Sequence, residues 1–278
     1  MRRRERGVAL VAVLLLVAGL IAIATAVVVL SASQRRAAEK AYQADARREL
    51  LDGALRVALA EISFGKVTGP FWHPRQPRIV TVAGKRVEVT LERESGRIDL
   101  NTAEEKYVVA GLVAAGLEEG AARTGAARIR DWIDADDAPS GSHGAELLQY
   151  RDAKVAHEPR NAPFESTEEV RQVLGLEKLD DDALDAFTVF SQLQSPASFE
   201  ATPGVKRALT WLANAAGEGG VPADLNVSVA DESEPVSYAG AVVRLKACLD
   251  VEKTAPCRVT VQRITGSSGR PFQVLVWR

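Results

Sequence analysis

A group of acidic residues near the middle of this 278-residue sequence has the types and spacing that could bind a cation. The run Asp131-Trp132-Ile133-Asp134-Ala135-Asp136-Asp137 is followed by a Pro-Ser-Gly-Ser-His-Gly loop and then by Glu146. Carboxylates this close together repel one another unless a cation or solvent separates their charges. The Asp134-x-Asp136 step points two oxygens at one centre, and Glu146 is placed to close a cage from the next helix.

Spacing alone leaves two interpretations of these acidic residues open. One is a site for a hard cation, and the other is a solvated acidic end of a helix. The EF-hand pattern is not satisfied, because its glycine and glutamate spacing is missing. If the group binds an ion, calcium is favoured, because magnesium demands tighter octahedral geometry than a flexible loop containing Gly141 and Gly144 would supply.

Other reactive side chains do not form a catalytic pattern. His73, His143 and His157 lie in predicted loops without the spacing of paired ligands on a helix, so we expect them at the solvated surface. The stretch Ser140–Gly144 brings a hydroxyl close to an imidazole in sequence. It lacks the G-x-S-x-G elbow, and adjacent loop residues rarely form a triad. We therefore expect a protein that is not an enzyme.

The cysteine count and the charge balance exclude further classes. Cys248 and Cys257 are too few for a disulfide-dense scaffold, and no second pair completes a zinc site. In an oxidising compartment we expect them to form one disulfide, because strand residues around a short loop can meet. The 35 basic residues nearly balance the 37 acidic ones, so no global positive field attracts nucleic acid, although local patches stay possible.

The amino terminus predicts a membrane anchor. Four arginines in the first six residues precede an apolar run over residues 8–30. At 1.5 Å per residue this run is about 34 Å long, enough to cross a bilayer core of roughly 30 Å. The basic side is expected in the cytoplasm and the rest of the chain outside it. The apolar run is too long for an ordinary signal peptide, so we expect it to stay on the protein.

This amino terminus resembles the class III leader of type IV pilins and pseudopilins, which is a short basic segment ending in glycine and followed directly by an apolar run. The resemblance implies that a prepilin peptidase cuts after Gly7 and methylates the new amino terminus, Val8. Most family members carry Glu as the fifth residue after the cut, where this chain has Ala12. That difference is characteristic of the K-type minor pseudopilin of type II secretion, whose position at the filament tip requires no acid for a subunit above it.

The patterns beyond the anchor agree with a pilin-like α+β fold. The helix should continue past Leu30, because no glycine or proline occurs before Gly53, and residues 79–92 predict a β-hairpin. Alternating apolar residues after residue 241 predict strands that return to the antiparallel sheet. We expect five segments: the leader 1–7, the transmembrane segment 8–30, the pilin helix and first hairpin 31–95, a helical insertion 96–195 and the return to the sheet 196–278.

The insertion carries two helix-hairpin-helix-like units, as the K-type insertion does. The first is built around residues 98–103 and the second around residues 163–170, and each ends in a Gly-Leu turn. Such modules grip phosphates in DNA-binding proteins through exposed backbone amides and basic residues. Here the turns carry acids, Glu118 and Glu119 in the first and a run from Glu177 to Asp182 in the second. Because these charges repel phosphate, nucleic acid is not expected as a partner.

The resemblance also decides between the two interpretations of the acidic residues. The phrase Asp-Trp-Ile-Asp-x-Asp, followed by Gly-Ala-Glu and later by Asn-x-Pro-Phe, matches the K-type insertion, which binds calcium. A structural calcium site is therefore implied, and its ligands are expected to be Asp134, Asp136 and Glu146, joined by Asn161 and Glu168.

The function implied by the resemblance is assembly at the tip of the type II secretion pseudopilus. The expected partners are the other minor pseudopilins, of the I and J types, the major pseudopilin and the prepilin peptidase. The expected location is the bacterial inner membrane, with the carboxyl-terminal domain in the periplasm. Two alternatives stay open at this point: a minor pilin-like subunit of a type IV pilus or DNA-uptake machine, and a membrane-tethered nucleic-acid binder.

Overall fold

The computed structural model describes residues 2–64, 76–217, 238–249, 257–267 and 269–278. The chain divides into two compact units, Met1–Gly53 and Ala54–Arg278. Helix α1, Arg2–Phe64, provides all of the described first unit and the start of the second. By length and composition it can cross a membrane. The predicted loop residue His73 lies outside the described residues.

The second unit contains the predicted antiparallel sheet. The strands of the chain are β1 (Arg78–Val82), β2 (Lys85–Arg93), β3 (Ile98–Asp99), β4 (Phe187–Thr188), β5 (Val242–Leu249), β6 (Arg258–Ile264) and β7 (Phe272–Trp277). Five of them form one sheet in the order β1-β2-β5-β6-β7, with every neighbouring pair antiparallel. The turn between β1 and β2 has positive φ at Ala83 (48°) and Gly84 (75°), as a tight hairpin requires. The predicted hairpin and the predicted return of the chain to the sheet are both confirmed.

Apolar side chains at helical spacing on the last part of α1 are buried, as their sequence pattern predicts. Ala54, Leu55, Ala58 and Leu59 are fully buried. Alternate residues of the central strands are buried as well, in the pattern of a sheet with one covered face: Val87, Val89, Leu91, Val243, Leu245 and Ala247.

The insertion is built from short helices. They are α2 (Glu105–Ala114), α3 (Glu119–Ile133), α4 (Leu147–Asp152), α5 (Asp181–Leu184) and α6 (Pro203–Ala215), with 3₁₀ segments at Glu94–Gly96, Thr167–Gln172 and Ser198–Glu200. Gly116 turns the chain between α2 and α3 with φ 98°, which completes the first predicted helical unit. The second predicted helical unit, around residues 163–170, differs from the prediction, because a 3₁₀ segment stands where an α-helix was expected. That segment has six residues, too few for a regular α-helix of several turns.

The insertion core extends beyond the boundary expected from the sequence. Helix α6 packs against α2, and its residues Val205 and Ala208 belong to the same buried cluster as Leu112 and Phe187. Strand β3 pairs in parallel with β4 and closes this core. Two-residue strands have no periodicity, which is why the sequence pattern did not reveal them.

A buried ion-pair network joins the insertion to the sheet. The Arg97 side chain is fully buried and binds Glu92, the second-last residue of β2, and Asp185 at 2.9 Å, just after α5. Arg97 also lies 3.9 Å from Glu94, a buried carboxylate that accepts a 2.7 Å hydrogen bond from Arg244 of β5. Burial acts to raise the pKa of Glu94, but the charges of Arg244 and Arg97 outweigh it and hold that pKa below its usual range. The network therefore stays ionised.

The two cysteines are expected to resist thiol labelling until they are reduced. Cys248 is the second-last residue of β5 and Cys257 directly precedes β6, and the two form a disulfide. Closing so short a loop should add about 2–3 kcal/mol of stability. Denatured, unreduced protein treated with a thiol reagent should show no modification, and the same sample after reduction should show two. Labelling of both cysteines without reduction would contradict the pairing.

Candidate metal site in the helical insertion

The structure brings three of the predicted ligands together. Oxygen atoms of Asp134, Asp136 and Glu146 all lie within 4.8 Å of one another. Asp134 is the first residue beyond the end of α3, and Glu146 immediately precedes α4. The loop between these helices reverses the chain, so carboxylates that are twelve positions apart in sequence face one centre.

Several buried oxygens around this centre have no hydrogen-bond partner among the described residues. Among the described residues, Oδ1 of Asp134, both carboxylate oxygens of Glu146 and Oδ1 of Asn161 are buried and accept no hydrogen bond. The residue Glu146 is only 2% exposed. A buried carboxylate without a partner is unfavourable by several kcal/mol, so such groups usually pair with a cation or a metal. The donors are all oxygens, which is the ligand set that calcium prefers.

Asn161 reaches this loop from a distant part of the sequence. Its Nδ2 donates to the backbone oxygen of Asp136 at 3.4 Å and to Oδ1 of Asp137 at 3.3 Å. Its backbone has φ 49°, a left-handed conformation that asparagine tolerates better than most residues. Because the amide nitrogen is bonded to the acidic loop, the amide oxygen is the atom left to bind an ion.

Glu168 does not join the other predicted ligands. Its carboxylate forms an ion pair with the side chain of Arg278, the last residue of the chain, and accepts a 3.4 Å hydrogen bond from the Thr167 hydroxyl. Burial acts to raise the pKa of Glu168, but the hydrogen bond from Arg278 outweighs it and lowers that pKa. The carboxylate is thus neutralised by an arginine, and it is absent from the group that converges on Asp134.

The electrostatics of the site favour uptake of positive charge. Burial, followed by repulsion from Asp131 and Asp134, raises the pKa of Glu146 to about 7. Burial and repulsion from Asp136 also raise the pKa of Asp134. At neutral pH these carboxylates are held close together against their own repulsion, and a divalent cation would remove that cost.

Aromatic side chains cluster around Trp132, two residues before Asp134. Trp132 stacks on Phe164 with ring centroids 5.9 Å apart, and it also contacts Tyr150 and His157. The imidazole Nε2 of His157 lies 2.6 Å from the backbone oxygen of Gln172. The expectation of a solvated His157 is therefore wrong, because the ring is half-buried against aromatic side chains. His143 is exposed, as expected.

Hydrogen bonds connect the two helical units. Asn101 of the first unit exchanges two hydrogen bonds with the backbone of Phe164, at 3.1 and 2.8 Å. At the second turn the N–H of Gly175 donates to the Glu177 carboxylate at 2.9 Å. That amide is already occupied by an acid, which supports the argument that these turns do not bind phosphate.

Comparison with known proteins finds a family similar to the insertion. Residues 91–189 match the family described as Type II secretion system (T2SS), protein K. Over 194 residues the chain is 30% identical to the Type II secretion system protein K of Pseudomonas aeruginosa, an alignment that covers 62% of this chain and 58% of that protein. The chain therefore spans less than two thirds of the length of this relative.

A solved structure shares the fold. A chain in the crystal structure of the GspK-GspI-GspJ complex from the type 2 secretion system of enterotoxigenic Escherichia coli matches with a TM-score of 0.56 and 17% identity. The match covers 88% of this chain and 98% of that one. At this identity the likeness shows the fold.

Together, a long apolar helix, an antiparallel sheet and a helical insertion define a pilin-like protein of the α+β class. Residues 91–189 match the type II secretion system protein K family, and a longer stretch of the chain is 30% identical to one such protein. The resemblance to K-type pseudopilins, drawn first from the leader and the insertion motifs, is confirmed.

Proposed function

We propose that this chain is a minor pseudopilin that assembles at the tip of a type II secretion pseudopilus and has no enzymatic activity. The observation that supports this function most directly is the match to protein K over the helical insertion of a pilin-like fold. Its proposed partners are minor pseudopilins of the I and J types, the major pseudopilin and the prepilin peptidase. The structural relative was solved in a complex with GspI and GspJ, which supports the first of these partners.

The proposed location is the inner membrane, with the body of the protein in the periplasm. The exposed apolar side chains of the first half of α1 and the basic residues before them support this orientation. An oxidising periplasm also suits the disulfide between Cys248 and Cys257.

If the chain lies at the tip, it should be scarce in the filament and should contact only a few kinds of subunit. Ala12 provides no carboxylate to pair with a subunit above it, so the chain suits the end of a filament. In vivo cross-linking should link this chain to I- and J-type minor pseudopilins, and it should give few cross-links between two copies of this chain. Recovery throughout the shaft at the abundance of the major subunit would refute the tip role. Partners from a type IV pilus would favour the alternative machine.

Processing of the leader is expected to leave Val8 as the methylated amino terminus. Gly7 has no side chain, which lets a peptidase approach the bond at the membrane surface. Mass spectrometry of the mature protein should show the loss of residues 1–7 and one added methyl group. An intact leader, or cleavage after Ala26, would rule out the pilin-type maturation.

We further propose that Asp134, Asp136, Glu146 and Asn161 bind one structural calcium ion. Glu168 is left out of this set because Arg278 already neutralises it. The ion would supply positive charge to the buried, unpartnered oxygens and would connect the loop after α3 to the segment that carries Asn161. Because Phe164 follows closely after Asn161 and bonds to Asn101, the ion would stabilise the contact between the two helical units.

A further inference from the structure

We propose that Asp131 is a positioning residue of the metal site, which holds the ligand-bearing loop in its binding conformation without itself binding the ion. This inference rests on the proposed calcium site. That site is supported by the residue Glu146, which is 2% exposed and whose two carboxylate oxygens have no partner among the described residues. Asp131 lies in the last turn of α3, three residues before Asp134, and is fully buried.

The hydrogen bonds of Asp131 distinguish it from the proposed ligands. Its Oδ1 accepts a 2.9 Å hydrogen bond from the backbone N–H of Ser140, and its Oδ2 accepts a 2.6 Å hydrogen bond from the backbone N–H of Ala145. Both oxygens are thus satisfied by the loop itself. The oxygens of Glu146 are not satisfied. One acid therefore ties the loop to the helix, and the other is left for the ion.

The loop is shaped to accept this carboxylate. A Cβ atom added at Gly144 would lie 2.3 Å from Oδ2 of Asp131 and 2.3 Å from the backbone nitrogen of Ser140. Both distances are far below van der Waals contact, and the second neighbour is backbone, which cannot rotate away. Only glycine lets the loop close over the Asp131 side chain at this point.

The position of Glu146 follows from this closure. Ala145, which Asp131 holds, is the residue directly before Glu146, and the Glu146 backbone N–H donates to Oε1 of Gln149 at 2.9 Å. The backbone that leads into the Glu146 side chain is therefore fixed before any ion binds. A ligand that is positioned in advance loses less conformational freedom on binding, and removal of such supporting contacts typically lowers metal affinity 10–100-fold.

The test is calcium titration of the full-length chain in detergent at 4 °C by calorimetry, for the wild type and three variants. Asp131→Asn keeps the size of the side chain. One of its two oxygen acceptors becomes an NH₂ donor, which would face the backbone N–H of Ser140 or Ala145. Gly144→Ala keeps every charge and disturbs only the fit. Asp137→Asn is the charge control, because it removes the same charge from the same loop, leaves the contacts to Ser140 and Ala145 untouched, and keeps an amide oxygen that can accept the hydrogen bond from Asn161. Circular dichroism of each variant in EDTA reports whether it is folded.

We expect Asp131→Asn and Gly144→Ala to weaken calcium binding at least tenfold, and Asp137→Asn to weaken it less than threefold. Equal losses for Asp131→Asn and Asp137→Asn would mean that only charge matters and would overturn the proposal. Folded variants with wild-type affinity would overturn it too, because Asp131 would then be merely structural. If Asp131→Asn does not fold, Gly144→Ala decides alone, and failure of both to fold would assign Asp131 to folding instead. Wild-type protein that binds no calcium would refute the proposed site itself.

Discussion

Replacement of Arg97 by alanine is expected to lower the free energy of unfolding by about 3–5 kcal/mol, because it removes a fully buried cation that is one of the two arginines neutralising a buried acid. Glu94 is fully buried, and its charge is compensated by Arg97 at 3.9 Å and Arg244 at 2.7 Å. Arg97 also neutralises Glu92 and Asp185, so its loss affects three carboxylates at the junction of sheet and insertion. Few single substitutions have so large an effect.

The measurement is chemical denaturation of the full-length chain in detergent, followed by tryptophan fluorescence at constant calcium. The matched control is Arg123→Ala, which breaks an exposed pair with Glu119 one helical turn away and should cost less than about 1 kcal/mol. If both variants lose the same small amount, the buried network does not hold the insertion to the sheet.

Saturating calcium is expected to raise the melting temperature of the full-length chain by about 5–10 °C. A ligand at 100 times its dissociation constant adds about 2.7 kcal/mol to the folded state, and each kcal/mol shifts the melting temperature by about 2–4 °C in a domain of this size. The double replacement of Asp134 and Asp136 by alanine should abolish the rise. The matched control replaces Asp181 and Asp182, two exposed acids on α5, and should keep it.

The size of this calcium effect should depend on pH. The pKa of Glu146 is raised from 4.5 to about 7 in the folded protein, so protonated Glu146 stabilises the calcium-free fold at low pH. That stability is present below about pH 4.5 and is lost as the pH rises through about 7. Calcium should therefore raise the melting temperature more at pH 7.5 than at pH 5. An equal rise at both pH values would show that Glu146 is not a ligand. If calorimetry detects no calcium binding at millimolar ion, the acidic loop is a solvated turn and not a metal site.

Much of the fold could be predicted because its signals are local. The apolar run of residues 8–30, the alternating residues of β2 and the Ala83-Gly84 turn each depend on neighbours a few positions away. The second helical unit could not be predicted in detail, since a six-residue 3₁₀ segment and a two-residue strand are too short to show a period.

Within the proposed site, sequence spacing limited the candidate ligands, and packing separated their roles. A dense run of carboxylates from Asp131 to Asp137, without soft ligands nearby, was compatible with a hard cation or with a solvated helix end. Sequence spacing could not distinguish Asp131, whose oxygens bind backbone amides, from Asp134, which keeps an unpartnered oxygen. It also could not show that Arg278 pairs with Glu168 from 110 positions away. Whether a carboxylate binds an ion, an amide or an arginine depends on which partner the folded chain brings within hydrogen-bond distance, and that distance is set by packing between segments far apart in sequence.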